Sequence, residues 1–121
     1  MKLALKEANK AFKKKEVPIG AVIVQDNKVI AKAHNLRIKN NVTTSHAEIL
    51  AIQKANKKLK SWRLDSCTLY ITIEPCPMCA GASFWTHLGK IIYGAKDEKR
   101  GYSILNPKII HPKTKIISGI L

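Results

Sequence analysis

The sequence predicts an α/β protein in which helices cover both faces of a mixed, mainly parallel sheet of about five strands. Segments with helical periodicity alternate with short β-rich segments, and that alternation is typical of strand–helix units. The chain has 121 residues, 45% of them hydrophobic, which is enough for one hydrophobic core. We therefore expect a single domain over residues 1–121.

The first half of the chain predicts two helices and a hairpin. The stretch Glu16-Val17-Pro18 ends the first helix, because the residue before a proline avoids helical geometry. Gln25–Lys28 is a polar turn between two β-rich segments, as in a hairpin. The predicted elements are a helix over Leu3–Lys15, strands over Ile19–Val24 and Val29–Ala33, and a helix capped by Thr43, Thr44 or Ser45 that extends to about Leu59.

The second half predicts three more strands and a third helix. Cys67 adjoins the first of these strands and is expected to be a core thiol. Pro77 suits the first turn of a helix, where its missing N–H costs nothing. The predicted elements are strands over Thr68–Ile73, Lys90–Gly94 and Lys115–Ile117, and a helix over Ala80–Trp85 whose first turn extends back to Pro77 if that proline begins it.

The chain is strongly basic, with 22 Lys and Arg residues against 8 acidic residues and a net charge of +14. Such an excess favours a polyanionic partner, with nucleic acid as the first candidate. Only three of the basic residues are arginines (Arg37, Arg63 and Arg100), so the charge indicates attraction to phosphates more than reading of bases. The alternative is that lysines merely solvate the surface.

The cellular location is expected to be the cytoplasm. The apolar stretches are too short to span a bilayer, and the N-terminus lacks the continuous apolar region of a secretory signal. The three cysteines are an odd number, and two of them form a C-x-x-C motif. In a reducing compartment this spacing indicates metal binding or redox chemistry rather than a disulfide framework.

The residues that carry chemistry are His46, Cys76 and Cys79. One imidazole and two thiolates are a ligand set that zinc accepts, and three protein ligands leave a fourth position open for a reactive water. The alternatives are a structural zinc site completed by a fourth ligand (Cys67, His87 or His111), and a redox pair, which would leave the His-x-Glu sequence unexplained.

Glu48 is the candidate proton carrier. It lies two residues after His46, and hydrolytic deamination needs one group that takes a proton from water and returns it to the ring and the leaving amine. Residues two apart do not share a regular helical face. The spacing therefore requires this pair to lie in a first helical turn or to flank the substrate.

Several blocks along nearly the whole chain resemble a known family. His46-x-Glu48 followed by Pro75-Cys76-x-x-Cys79 is the zinc-deaminase pattern. The other blocks are Glu16–Val24, Asn35, Trp62–Leu64, Tyr93–Asp97 and Ile117–Leu121. On these residues the chain resembles the bacterial tRNA-specific adenosine deaminases of the cytidine/deoxycytidylate deaminase superfamily.

The resemblance implies a three-layer α/β/α cytidine-deaminase-like fold, a homodimer, and hydrolysis of the wobble-position adenosine of a tRNA anticodon to inosine. The residues implied are His46, Cys76 and Cys79 as ligands of one zinc ion per chain, Glu48 as the catalytic residue, and Asn35, Ala47 and Ile19 as substrate contacts.

The RNA-binding region is where the chain departs from the family. Family members continue past the Gly-Ile-Leu block into a C-terminal helix that helps to hold tRNA, whereas this sequence ends at Leu121. Lys96, Lys99 and Arg100 are candidate phosphate contacts, as are Lys108 and Lys113, or else they form a solvated face.

Two other functions stay open at this point. One is a guanine or cytidine deaminase that acts on a free base or nucleoside, although such a substrate does not require a net charge of +14. The other is a non-catalytic, zinc-stabilised RNA-binding module, for which Glu48 would be dispensable.

Overall fold

The structure is a computed structural model that describes residues 1–120, and its centre is one five-stranded mixed sheet. The helices are α1 (Lys2–Lys13), α2 (Arg37–Asn40), α3 (Ala47–Leu59), α4 (Pro77–Trp85) and α5 (Tyr102–Leu105). The strands are β1 (Gly20–Gln25), β2 (Lys28–His34), β3 (Cys67–Ile73), β4 (Lys90–Ala95) and β5 (Lys115–Ser118). The three long helices and the five strands correspond to predicted elements, whereas the short helices α2 and α5 were not predicted.

The strand order is β2-β1-β3-β4-β5, and the sheet is mixed, as predicted. β1 is antiparallel to both β2 and β3, while the β3–β4 and β4–β5 pairs are parallel. Asp26 and Asn27 form the turn between β1 and β2 with positive φ angles of 50° and 62°, and so tight a turn joins only antiparallel strands. The crossover through α3 makes β3 parallel to β2, and therefore antiparallel to β1 between them.

Helices cover both faces of the sheet, as predicted. Gly20 faces α1 so closely that an added Cβ would collide with the Ala4 carbonyl oxygen and the Ala8 amide nitrogen. The next residue, Ala21, points to the opposite face, because side chains alternate along a strand. There Ala21 and Ile23 join one buried cluster with residues of α3 and α4.

The predicted cap of α3 is wrong, because the helix begins later than Thr43, Thr44 or Ser45. The residue at the N-cap is His46, in extended conformation. The preceding segment is held as a turn: the Leu36 amide donates to the Ser45 carbonyl, and the His46 amide donates to the Thr44 carbonyl. Helical geometry therefore starts only at Ala47.

α4 begins at Pro77, with Cys76 as its N-cap and the proline in the first turn. Cys67 is buried in β3, which confirms it as a core thiol. No helix within residues 1–120 is long and apolar enough to cross a membrane.

Replacing Gly20 with alanine is expected to lower the free energy of unfolding by about 3 kcal/mol, because α1 must move away from β1 to admit a methyl group. Gly81→Ala is the matched control. A Cβ there meets only the Ile109 Cδ1 atom at 3.6 Å, and alanine favours the helix by up to about 1 kcal/mol. Equal effects of the two changes in chemical denaturation would contradict this packing.

Candidate metal and substrate site

The candidate metal ligands meet where two helices begin. His46 is the N-cap of α3, and Cys76 is the N-cap of α4, directly after β3 and the Glu74-Pro75 link. Cys79 follows one turn into α4 and is buried. The His46 Nδ1 atom lies 3.7 Å from the Cys76 sulfur and 3.5 Å from the Cys79 sulfur.

These separations fit a tetrahedral metal. Bonds of about 2.3 Å to sulfur and about 2.0 Å to nitrogen place adjacent tetrahedral ligands about 3.5–3.8 Å apart. The three ligand atoms all lie within 4.8 Å of one another. Within residues 1–120 they form the one cluster of three or more candidate ligands, and neither Cys67, His87 nor His111 joins it. The site can therefore bind a metal ion through three protein ligands.

The two thiols share one proton unequally. A hydrogen bond from Cys79 lowers the pKa of Cys76 to about 5, against the opposing effect of burial. In turn, the hydrogen bond to Cys76, together with burial, raises the pKa of Cys79. One sulfur is thus already a thiolate at neutral pH at the positive end of α4, and a bound dication would displace the remaining proton.

Glu48 occupies the first turn of α3, which is one of the two arrangements that its spacing from His46 allows. Its side chain is 3% exposed, and its Oε1 atom has no hydrogen-bond partner in the part of the chain that the structure describes. Burial away from water raises the pKa of Glu48 to about 7. A carboxyl group with such a pKa can both accept and release a proton near neutral pH.

A cavity of about 390 Å³ opens beside these groups. His46, Cys76 and Glu48 line it, together with two predicted substrate contacts, Asn35 and Ile19. The cavity lies at the end of β3 from which the Cys-containing segment leaves the sheet. The fold therefore places the metal ligands, the carboxylate and a binding space in one site.

Asn35 is buried, and one end of its amide is used by the fold. Its Oδ1 atom accepts a hydrogen bond from the Arg37 amide at 3.3 Å, as in an Asx turn. No partner for the Asn35 amide nitrogen lies within residues 1–120. The turn-forming role and the substrate-binding role are therefore compatible, with the NH₂ group left to face the cavity.

The other predicted contacts lie in different surroundings. Ala47, the first residue of α3, is fully buried and is not among the residues that line the cavity, so the structure does not bring its side chain into the site. Arg100 lines the cavity, whereas Lys96 and Lys99 are exposed on the same loop outside its wall.

Glu74, which the family resemblance places beside the pocket, is a buried carboxylate in the cavity wall, and its hydrogen-bond partners were not predicted. Glu74 accepts hydrogen bonds from the Asp97 amide at 3.2 Å, the Ser103 amide at 2.9 Å and the Ser103 hydroxyl at 2.6 Å. Gly101 lies so close that a Cβ there would collide with the same carboxylate. Glu74 thus ties the Asp97–Ser103 segment to the strand that leads to Cys76.

A second buried carboxylate, Glu16, supports the opposite wall. Its two oxygens accept hydrogen bonds from the Ile38 and Lys39 amides at 3.1 and 2.7 Å, in the first turn of α2. Arg37, at the start of that helix, also lines the cavity and was not predicted to do so. In the sequence, Glu16 is visible only as an acidic residue before Val-Pro, and this position alone does not predict the amides with which it forms hydrogen bonds.

Residues 1–119 match the model of a protein family described as MafB19-like deaminase. The chain belongs to this deaminase family. It is 47% identical to the tRNA-specific adenosine deaminase of Bacillus subtilis, with 100% of this chain and 78% of that protein covered. It is 41% identical to the tRNA-specific adenosine deaminase of Aquifex aeolicus, with 95% and 80% covered. The predicted resemblance is confirmed.

The solved structures confirm the fold as well. A structure from a study of A-to-I editing by tRNA:A34 deaminases superposes with a TM-score of 0.91 at 41% identity, covering 98% of this chain and 90% of the other. A guanine deaminase from Bacillus subtilis gives a TM-score of 0.78 at 37% identity, covering 92% and 74%. The three-layer cytidine-deaminase-like architecture is therefore that of this enzyme family.

Replacing Glu74 with glutamine is expected to loosen the Asp97–Ser103 segment, since an amide nitrogen would face donors that now meet a carboxylate. The free energy of unfolding should fall by about 2 kcal/mol. Hydrogen exchange of amides 97–103 should accelerate while that of the β1–β3 ladder changes less. Glu98→Gln is the control, because Glu98 is exposed and forms no side-chain hydrogen bond in the described chain. Unchanged exchange in Glu74→Gln would contradict the tether.

Proposed function

We propose that this protein hydrolyses the wobble-position adenosine of a tRNA anticodon to inosine, with one zinc ion per chain. The observation that carries the proposal is the buried Glu48 carboxylate, which has an unpartnered oxygen beside a three-ligand His/Cys/Cys cluster in an open cavity. A purely structural metal site would not require such a group. The relatives named tRNA-specific adenosine deaminase supply the substrate.

Zinc bound by His46, Cys76 and Cys79 would supply a water molecule acidified toward neutral pH as the nucleophile. With that water as nucleophile, the free Oε1 atom of Glu48 would take one of its protons and pass it to the purine ring nitrogen. The same carboxylate would then move the second proton of the added water to the amine, which leaves as ammonia, so Glu48 would serve as base and then as acid. Because Glu48 is buried, bulk water does not reach its Oε1 atom and cannot compete for the proton.

The binding groups orient the base. The NH₂ group of Asn35 donates to an acceptor on the purine, because its oxygen is held by the Arg37 amide. Ile19 supplies an apolar wall, and the backbone amide of Ala47 is a further donor at the start of α3. Arg37 and Arg100 on the cavity wall, with Lys96 and Lys99 outside it, would contact the phosphates that flank the flipped base.

We also propose a cytoplasmic homodimer. An exposed apolar patch at the end of α4 and at α5 supports the dimer: Trp85 is 74% exposed, and Ile104 and Leu105 are exposed as well. Burying such a patch against a second copy would remove apolar surface from water. The cytoplasm is where a tRNA-modifying enzyme meets its substrate.

The second candidate function is deamination of free guanine, which the similarity to a guanine deaminase structure favours. The net charge of +14 is the observation against it, since a small uncharged base gains nothing from a basic surface. An anticodon stem-loop with a wobble adenosine distinguishes the two. Turnover of guanine without inosine formation in the stem-loop would overturn the proposed function.

Replacing Glu48 with glutamine is expected to lower the rate of inosine formation in the stem-loop by about 10²–10⁴-fold, because the proton carrier is lost while the shape is kept. Zinc content, measured by elemental analysis, should stay near one per chain, whereas Cys76→Ala should lose the metal. Glu98→Gln should leave the rate unchanged. Full activity of Glu48→Gln would show that Glu48 is not the proton carrier. Absence of inosine formation in the wild type, with RNA binding retained, would support the RNA-binding module instead.

The variant Asn35→Asp separates the two uses of Asn35. An aspartate still accepts the Arg37 amide hydrogen bond, so the melting temperature should change little, but it cannot donate to the base. We expect kcat/KM on the stem-loop to fall by about tenfold or more, the value of one substrate hydrogen bond. Asn35→Ala should lose both activity and stability. An active Asn35→Asp enzyme would assign this residue to the turn alone.

A further inference from the structure

A second cavity, of about 430 Å³, is not used by the proposed chemistry. We call it the distal pocket, and it is lined by Arg63, Asp65, His87, Leu88, Gly89, His111 and Lys113. These residues belong to the three loops that precede β3, β4 and β5. The three strands are parallel, so the loops lie together at one edge of the sheet. The catalytic cavity lies at the opposite edge, about 20 Å away along the seven residues of β3.

The floor of the distal pocket is held rigidly by hydrogen bonds between the three loops. The Thr114 hydroxyl donates to the Leu88 carbonyl at 2.6 Å, and the Lys115 amide donates to the Gly89 carbonyl at 3.1 Å. The Gly89 amide donates to the Leu64 carbonyl. A Cβ at Gly89 would collide with the Asp65 carbonyl oxygen, so this residue allows the loops to approach closely. The pocket is therefore preformed.

The charges in the distal pocket favour an anion. Arg63 and Asp65 form a bidentate pair at 2.8 and 2.7 Å and neutralise each other. Lys113 forms no ion pair with any residue that the structure describes. His111 accepts the Lys113 amide at its Nδ1 atom, so its Nε2 atom carries the ring hydrogen and is a donor. The pocket thus offers an ammonium and an imidazole N–H without an uncompensated carboxylate.

Aromatic rings extend from this donor pair to the rim. The His111 and His87 rings are 4.6 Å apart, and His87 is 5.5 Å from the indole of Trp62. Trp62 is 61% exposed, and its position is fixed by its backbone carbonyl, which accepts a hydrogen bond from the Thr86 hydroxyl. An exposed aromatic ring beside cationic donors is the arrangement with which proteins bind nucleotides of unpaired RNA.

We propose that the distal pocket is a second RNA-binding site, which holds a nucleotide of the bound tRNA outside the anticodon loop. Lys113 and the Nε2–H of His111 bind its phosphate, and the exposed ring of Trp62, with His87 against its edge, stacks on its base. The identification of RNA as the partner rests on the proposed function. The pocket is about 20 Å from the catalytic cavity. When a base of the tRNA is flipped into that cavity, only a remote part of the same tRNA can occupy the distal pocket.

The test compares two substrates that share one wobble adenosine: full-length tRNA and a short anticodon stem-loop. The variant His111→Ala/Lys113→Ala is expected to raise KM for full-length tRNA by about tenfold, the contribution of one charge-assisted hydrogen bond. Its kcat, and its activity on the stem-loop, should stay at the wild-type level. The stem-loop reaction tests the proposed function independently of the pocket.

The control Lys58→Ala removes an equivalent exposed charge from α3. An equal rise of KM in this control would show that only total charge matters, and would overturn the proposal. So would an unchanged KM for tRNA in the double variant. Equal losses on both substrates would place the effect in the catalytic site or the fold, and would likewise overturn the proposal.

A spectroscopic measurement identifies the ligand directly. The chain has two tryptophans, so Trp85→Phe leaves Trp62 as the only one. Oligouridylate, which carries no adenosine, should quench the Trp62 fluorescence, and His111→Ala/Lys113→Ala should weaken that quenching by about tenfold. Absence of quenching would overturn the proposal. Tighter binding of inorganic phosphate than of oligouridylate would make the pocket a small-anion site and would overturn it as well.

Discussion

The site depends on one constraint, which is that two helices begin at the same point of the sheet. The first residues of α3 and α4 supply two of the candidate ligands, His46 and Cys76, as N-caps. Neither side chain caps its own helix, so the imidazole and the thiol are both available as ligands. The positive ends of two helices also favour thiolates and a carboxylate in the space between them. The His46 nitrogen therefore lies at distances from the two cysteine sulfurs that suit a tetrahedral metal.

Three buried carboxylates around the catalytic cavity have different roles because they have different partners. Glu16 and Glu74 each accept several hydrogen bonds, mostly from backbone amides, and so fix the two walls. Glu48 is buried as deeply but has an oxygen without a partner in the described chain. An unpartnered buried acceptor costs stability, so its presence indicates a function that needs it free. The fold thus uses the hydrogen-bonding capacity of two carboxylates for positioning and leaves one oxygen of the third free, as the proposed proton transfer requires.

The placement of the arginines refines the meaning of the basic composition. Arg37 and Arg100 line the catalytic cavity, and Arg63 lines the distal pocket. All three arginines of the chain thus lie at the two cavities, whereas the many lysines are mostly spread over the surface. A guanidinium has a fixed shape that suits defined contacts, while a lysine acts as a mobile point charge. On the proposed function, the lysines contribute attraction for a polyanion, and Arg37 and Arg100 are placed for defined contacts at the catalytic cavity, whereas Arg63 is paired with Asp65.

The sequence by itself predicted the candidate ligand set, the candidate proton carrier and most of the helices and strands, because motif spacing and periodicity are local properties. It predicted the β1–β2 hairpin but not the antiparallel pairing of β1 with β3, since that pairing depends on a crossover between distant segments. It placed the cap of α3 too early, because the turn before His46 is held by a hydrogen bond to the distant Leu36. The tether at Glu74 and the distal pocket likewise join segments far apart in the chain. Only the tertiary structure could decide them.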